Sequence, residues 1–297
     1  MAKFIRALWS IGLCLFVGQD ISAQNQPDIL SKAISEMNTK YDIENIQARS
    51  VPIDLEVFDL KDIKKLDKKS VYDTIMSYTS DPFKDKWSRP TNVHEAIHGI
   101  NSALSNKRTS YRAFYINNGK AIWIKEPNIL MDHIIPYIPK SLRGYRYSTY
   151  FVNQKRHWND IALYPLDEWS AYIGGAECAV DDYNRYKIDP TKYNSYPYDA
   201  ATAIRTDEVS GSLEFAIYCI ALSIAIKNKD PKYWNDYDQF RNTIKFFLVK
   251  AEKVFLEGAS IFKSEKQDIL FNNLRNSEDA IHIRKFLIEE FDGVFLP

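Results

Sequence analysis

Thr91-Asn92-Val93-His94-Glu95-Ala96-Ile97-His98-Gly99-Ile100 is the stretch on which the reading of this chain turns. Val93, Ile97, Ile100 and Leu104 recur at helical spacing and predict a helix over 91–105. Residues four apart share a helix face, so His94 and His98 can offer imidazole nitrogens to one cation. Glu95 stands about 100° round the same turn, where its carboxylate can reach a solvent molecule on that cation rather than the cation itself. With 5 histidines and 15 glutamates in 297 residues, H-E-x-x-H arises by chance about 0.004 times in a chain of this composition. An ordinary pair of surface histidines is the bland alternative. The intervening glutamate and the otherwise uncharged flanks weigh against it.

Working outward, Tyr111–Ile116 and Ala121–Ile124 are aromatic and β-branched on either side of Asn117, Asn118 and Gly119, a hairpin signature. Residues 24–90 are polar and lysine-rich and read as a supporting lobe. Within it Val51, Ile53, Leu55 and Val57 alternate as a strand, and the Lys61–Lys69 charge run reads as a solvated helix face. Residues 128–163 mix short apolar and tyrosine-rich stretches. Pro165 suits the first turn of a helix running to about Tyr186. Residues 187–205, with two prolines, three tyrosines and no periodicity, read as a linker loop. Residues 206–297 read as an array of three or four helices, of which Leu213–Ile226 is apolar almost all round and suits a buried centre better than a membrane span. The fold class that follows is α+β, mostly helical, with a catalytic core at 91–186, a small sheet and a C-terminal helical array.

The segment around His94 resembles the active-site helix of the zincin metallopeptidases. That resemblance implies a zinc ion, His94 and His98 as ligands, Glu95 as general base and a third ligand from elsewhere. The metzincin branch needs glycine and histidine three and six residues after His98, where this chain has Asn101 and Leu104. The gluzincin branch draws a glutamate from a second helix, commonly as E-x-x-A, and Glu168-Trp169-Ser170-Ala171 has that form 70 residues after His98. The face around Glu168 carries Ala171, Gly175 and Ala179, small enough for close helix approach, whereas Glu177 lies half a turn away with Ser170 and Asp181 and reads as solvated. Glu214, Glu177, Asp167, His157 and His133 stand as alternatives for the third ligand. Many gluzincins place an acidic residue one turn beyond the ligand. This chain has Tyr172 there, so the acceptor that each ligating imidazole needs on its other nitrogen must come from elsewhere.

The chemistry so implied is hydrolysis of a peptide or protein substrate through a zinc-activated water. Glu95 accepts its proton, and Tyr164 is the first candidate to stabilise the oxyanion, with His157 and Tyr172 behind it. A non-catalytic binding protein on a zincin scaffold and a zinc hydrolase acting on a non-peptide amide are the rival functions. His282 reads as a surface residue. The clusters Tyr145, Tyr147, Tyr150, Phe151 and Tyr193, Tyr196, Tyr198 read as a β-rich packing face and a loop, or else as walls of a cleft for an extended peptide.

Composition supports a local site rather than a charged surface. The chain is 45% hydrophobic, so it can bury a core, and its 39 basic and 39 acidic residues give no electrostatic reason to bind nucleic acid. Residues 1–23 read as a signal peptide, with Lys3 and Arg6 ahead of an apolar run too short to span a bilayer. The expected location is secreted or periplasmic, without stable membrane insertion after cleavage. Cys178 and Cys219 would then meet an oxidising compartment, and whether they pair depends on packing.

Overall fold

The computed structural model describes residues 57–59 and 88–295, apart from 107, 118, 119 and 195. The signal peptide, nearly all of the N-terminal lobe with its lysine run, and the hairpin-turn residues Asn118 and Gly119 lie outside the described residues. Among those described, helix dominates and one small antiparallel sheet accompanies it.

Helix α1 spans Arg89–Ser105. Ser88 caps it through a side-chain bond from the Thr91 amide, and Pro90 occupies its first turn, where a missing N–H costs nothing. Strands β1 (Val57–Asp59), β2 (Tyr111–Asn117) and β3 (Lys120–Lys125) form a sheet in the order β1-β3-β2, with Phe114 opposite Ile122 and Val57 also opposite Ile122. The apolar stripe of α1 packs with Ala113, Tyr115 and Ala121 of the sheet and with Ala171 and Cys178 of the next helix.

The stretch from Met131 to Trp158 is a succession of short helical turns, including a π-helical segment at Ser148–Asn153. The tyrosine cluster there is not β-rich. Tyr147 and Phe151 stack as an i,i+4 helical pair 5.7 Å apart, while Pro136 and Pro139 keep the preceding turns short.

Helix α2 (Tyr164–Ile188) opens with Pro165 in its first turn, as expected, and α3 spans Tyr196–Thr206. Residues 187–205 are therefore not one continuous loop. Pro197 opens α3 rather than breaking it, and Ala200, Ala203 and Ile204 bury at helical spacing. The array continues as α4 (Glu208–Lys229), α5 (Pro231–Asp236), α6 (Asp238–Ile261), α7 (Glu265–Asn276) and α8 (Ile281–Phe291), more helices than the sequence reading counted. Short breaks at Asp230 and Tyr237 divide what periodicity alone merges.

Every residue of α4 from Glu208 to Ile226 is buried, and α2, α3, α6 and α8 pack around it. The stretch Tyr196–Lys229 contains a window long and apolar enough to cross a membrane, and that window lies wholly inside this fold. One hydrophobic core joins residues from both sides of 187–205, from Phe114 to Phe295. Cys178 and Cys219 are buried free thiols rather than a disulfide.

Two adjacent glycines let α2 pass between α1 and α4. A Cβ on Gly174 would stand 2.1 Å from Ile97 Cδ1 of α1, and one on Gly175 would stand 2.3 Å from Glu208 Oε2 of α4. Gly174, with Ala171 and Cys178, thus makes the close approach to α1, whereas Gly175 faces the opposite neighbour. Each glycine costs a helix interior roughly 1 kcal/mol relative to alanine, so close packing is what their presence provides.

Candidate metal centre

Helices α1 and α2 bring His94, His98 and Glu168 to one point. The two histidine Nε2 atoms are 3.2 Å apart, and Glu168 Oε2 lies 3.8 Å from His94 Nε2 and 3.6 Å from His98 Nε2. The circle through three atoms with these separations has a radius of about 2.1 Å, the length of a zinc–nitrogen or zinc–oxygen bond. Glu168 is 4% exposed, yet its Oε2 is buried without a hydrogen-bond partner, whereas Oε1 accepts a bond of 2.5 Å from the Tyr164 hydroxyl. A buried carboxylate oxygen without a hydrogen bond is costly, and beyond the two imidazoles that face it a cation is what would complete it. Two imidazoles and a carboxylate are a donor set suited to first-row divalent ions.

Each imidazole has an acceptor on its other nitrogen. His94 Nδ1 lies 3.1 Å from Glu208 Oε2 at the start of α4, and His98 Nδ1 lies 2.7 Å from Asp167 Oδ2 in the first turn of α2. Donation from Nδ1 selects the tautomer that leaves Nε2 a lone pair for a metal. The sequence offers Asp167 only as an alternative ligand and gives Glu208 no role, because the apolar run that marks its helix begins at Leu213. The sequence signal for Glu208 is an acidic residue in the first turn of that helix, five residues before the apolar run.

Electrostatics follow from burial and pairing. Burial pushes Glu208 up to about 7 against the opposing pull of His94, and His94 is itself raised, its own burial outweighed by Glu208. Both shifts arise where His94 Nδ1 meets Glu208 Oε2 at 3.1 Å. Burial also disfavours charge on His98, but Asp167 and Glu168 outweigh it and hold the ring well above the usual imidazole range. Glu168 is brought down to about 2, the two histidines and the Tyr164 hydroxyl overcoming its burial.

Glu95 is exposed on the same turn as the buried His94 and the half-buried His98. Tyr164 stacks on Trp158 at 4.1 Å and gives its hydroxyl to Glu168. The Tyr172 and His94 rings meet at a steep angle with centroids 4.4 Å apart, and the Arg146 guanidinium lies over the Tyr172 ring.

The alternative ligands are engaged elsewhere. Glu214 pairs with Arg146 and accepts from Tyr218, and Glu177 is not free in solvent but pairs with Lys250 at 2.9 Å. His133 Nδ1 accepts from the Leu130 amide, His157 is exposed beside Arg156, and His282, also exposed, contacts the Tyr137 carbonyl. Ser170, expected on a solvated side, is buried against Asn101. No protein-family model, curated protein or solved structure matches this chain.

Proposed function

We propose that this chain is a zinc-dependent metallopeptidase of gluzincin type, with His94, His98 and Glu168 as ligands and Glu95 as general base. The observation that carries the reading is the buried Glu168 Oε2, which accepts no hydrogen bond, converging with two Nε2 atoms at metal-ligand separations. When bound, zinc supplies Lewis acidity that makes water a usable nucleophile near neutral pH and polarises the substrate carbonyl.

The protein's own groups do the rest. Glu208 and Asp167 keep the two rings in register, and Tyr164 holds the second oxygen of Glu168 so that the first stays directed at the histidines. Glu95, open to solvent, takes a proton from the attacking water and returns it to the leaving amine. Service of Tyr164 as an oxyanion donor would require its hydroxyl to leave Glu168. The exported location and the peptide substrate rest on the leader-like residues 1–23 and on the H-E-x-x-H resemblance.

Zinc analysis of the purified protein, joined to digestion of a peptide library, tests the reading. Glu95→Gln is expected to keep one zinc per chain and lose about 10²–10⁴-fold in hydrolysis. His98→Ala is expected to lose the metal. Equal zinc in wild type and His98→Ala overturns the centre, and zinc-loaded wild type that cuts no peptide overturns the peptidase assignment.

A further inference from the structure

Asn101 lies one turn after His98 on α1 and is 2% exposed. The two ends of its amide bond to two different elements. Oδ1 accepts from the Tyr115 amide of β2 at 2.7 Å, and Nδ2 donates to Asp167 Oδ1 at 2.7 Å and to Ser170 Oγ at 2.9 Å, both on α2. The other oxygen of Asp167 meets His98 Nδ1 at 2.7 Å. A chain of short bonds therefore runs from strand backbone, through Asn101 and Asp167, to the imidazole whose Nε2 faces Glu168.

We propose that Asn101 is a positioning residue for the metal centre: it orients the Asp167 carboxylate, and through it the His98 ring, against the edge of the sheet. The inference rests on the metal reading above and adds a part that the motif does not contain. Asp167 is partly exposed and could turn either oxygen towards solvent, so without the Asn101 donor nothing in this chain of bonds sets which oxygen His98 meets. Fixing that carboxylate fixes the ring plane and the direction of Nε2, the usual means by which outer groups tune metal affinity. The same arrangement occupies the edge of β2. The Tyr115 amide is taken by Asn101 and the Ala113 amide by Ser105 Oγ at 2.9 Å, so a substrate cannot add as a strand at these two positions.

The test compares zinc dissociation constants, by competition with a chromophoric chelator, and the visible spectrum of the cobalt-substituted protein. Asn101→Leu is expected to weaken zinc about ten- to hundredfold and to shift the cobalt bands. Asn101→Asp keeps an acceptor for the Tyr115 amide but replaces the donor facing Asp167, and is expected to weaken zinc likewise; it decides the matter if Asn101→Leu does not fold. Ser105→Ala removes the neighbouring strand cap without touching Asp167 and is expected to bind zinc as wild type does. Wild-type affinity in both Asn101 variants, or an equal loss in Ser105→Ala, overturns the assignment alone. A wild type that binds no zinc overturns the metal reading and this assignment with it.

Discussion

A histidine has two ring nitrogens, and at this centre each has its own task. Nε2 of His94 and His98 face Glu168, while the Nδ1 atoms meet Glu208 and Asp167. The two supports differ. Glu208 is buried and meets His94 at 3.1 Å, whereas Asp167 is partly exposed and accepts from Asn101. Glu208→Gln removes a carboxylate whose burial opposes its charge but keeps an oxygen that can accept from Nδ1. The metal-free protein is expected to lose stability mainly at low pH, where a charged His94 is left without its partner, and little where the ring is neutral. Zinc should bind about tenfold or more weakly, because the imidazole loses its most basic partner. Chelator competition and thermal melting of the apo form read the two effects separately; tighter zinc binding in the variant would contradict this role for Glu208.

At the scale of elements, the centre depends on how α2 is threaded between α1 and α4. The 25 residues of α2 carry Asp167 in the first turn, Glu168 directly after it, and Gly174 and Gly175 about two turns later, so the proposed ligand and the close-packing surface belong to one rigid piece. Gly175→Ala places a methyl where the Glu208 carboxylate lies, and Gly174→Ala places one against the end of Ile97. Overpacking of this kind costs typically about 1–3 kcal/mol, offset by roughly 1 kcal/mol of helix propensity. The two substitutions should therefore destabilise the fold to a similar extent, yet Gly175→Ala should lower zinc affinity more, since it displaces the support of His94. Melting and zinc titration of both variants check this. Equal affinities would show that Glu208 can move without consequence for the metal.

For the molecule as a whole, the proposed metal centre would couple metal binding to folding through the proton on His98. Asp167 and Glu168 raise that ring in the folded, metal-free protein above its ordinary 6.5. The stabilisation from the charged ring is then fully present below about pH 6.5 and is lost as pH rises through the raised value. Zinc requires the unprotonated Nε2, so its affinity grows over the same range. The rise in melting temperature on adding zinc should accordingly widen as pH rises from about 6.5, as the apo form weakens and the bound form gains. A constant or shrinking increment across that range would show that no proton is displaced. The continuous core from Phe114 to Phe295, with Cys178 and Cys219 free, holds the fold without a covalent link between them, so the increment should not depend on reductant.

The sequence alone determined the parts whose cause is local. The α1 stripe, the hairpin, the start of α2 at Pro165 and the His94–His98 spacing all follow from periodicity and turn chemistry acting over a few residues. Glu168 was singled out by its E-x-x-A setting only through the resemblance to the gluzincins. What only the tertiary structure decided depends on contacts between distant segments. Glu208 meets His94 across 114 residues, and Asn101 meets Asp167 across 66. Tyr164 gives its hydroxyl to a carboxylate four residues away, but its ring is positioned by Trp158 outside the helix. The helical state of residues 196–206 was missed for a related reason. A proline and clustered tyrosines read as loop in isolation, whereas burial of Ala200, Ala203 and Ile204 against the core repays the ordering of that segment.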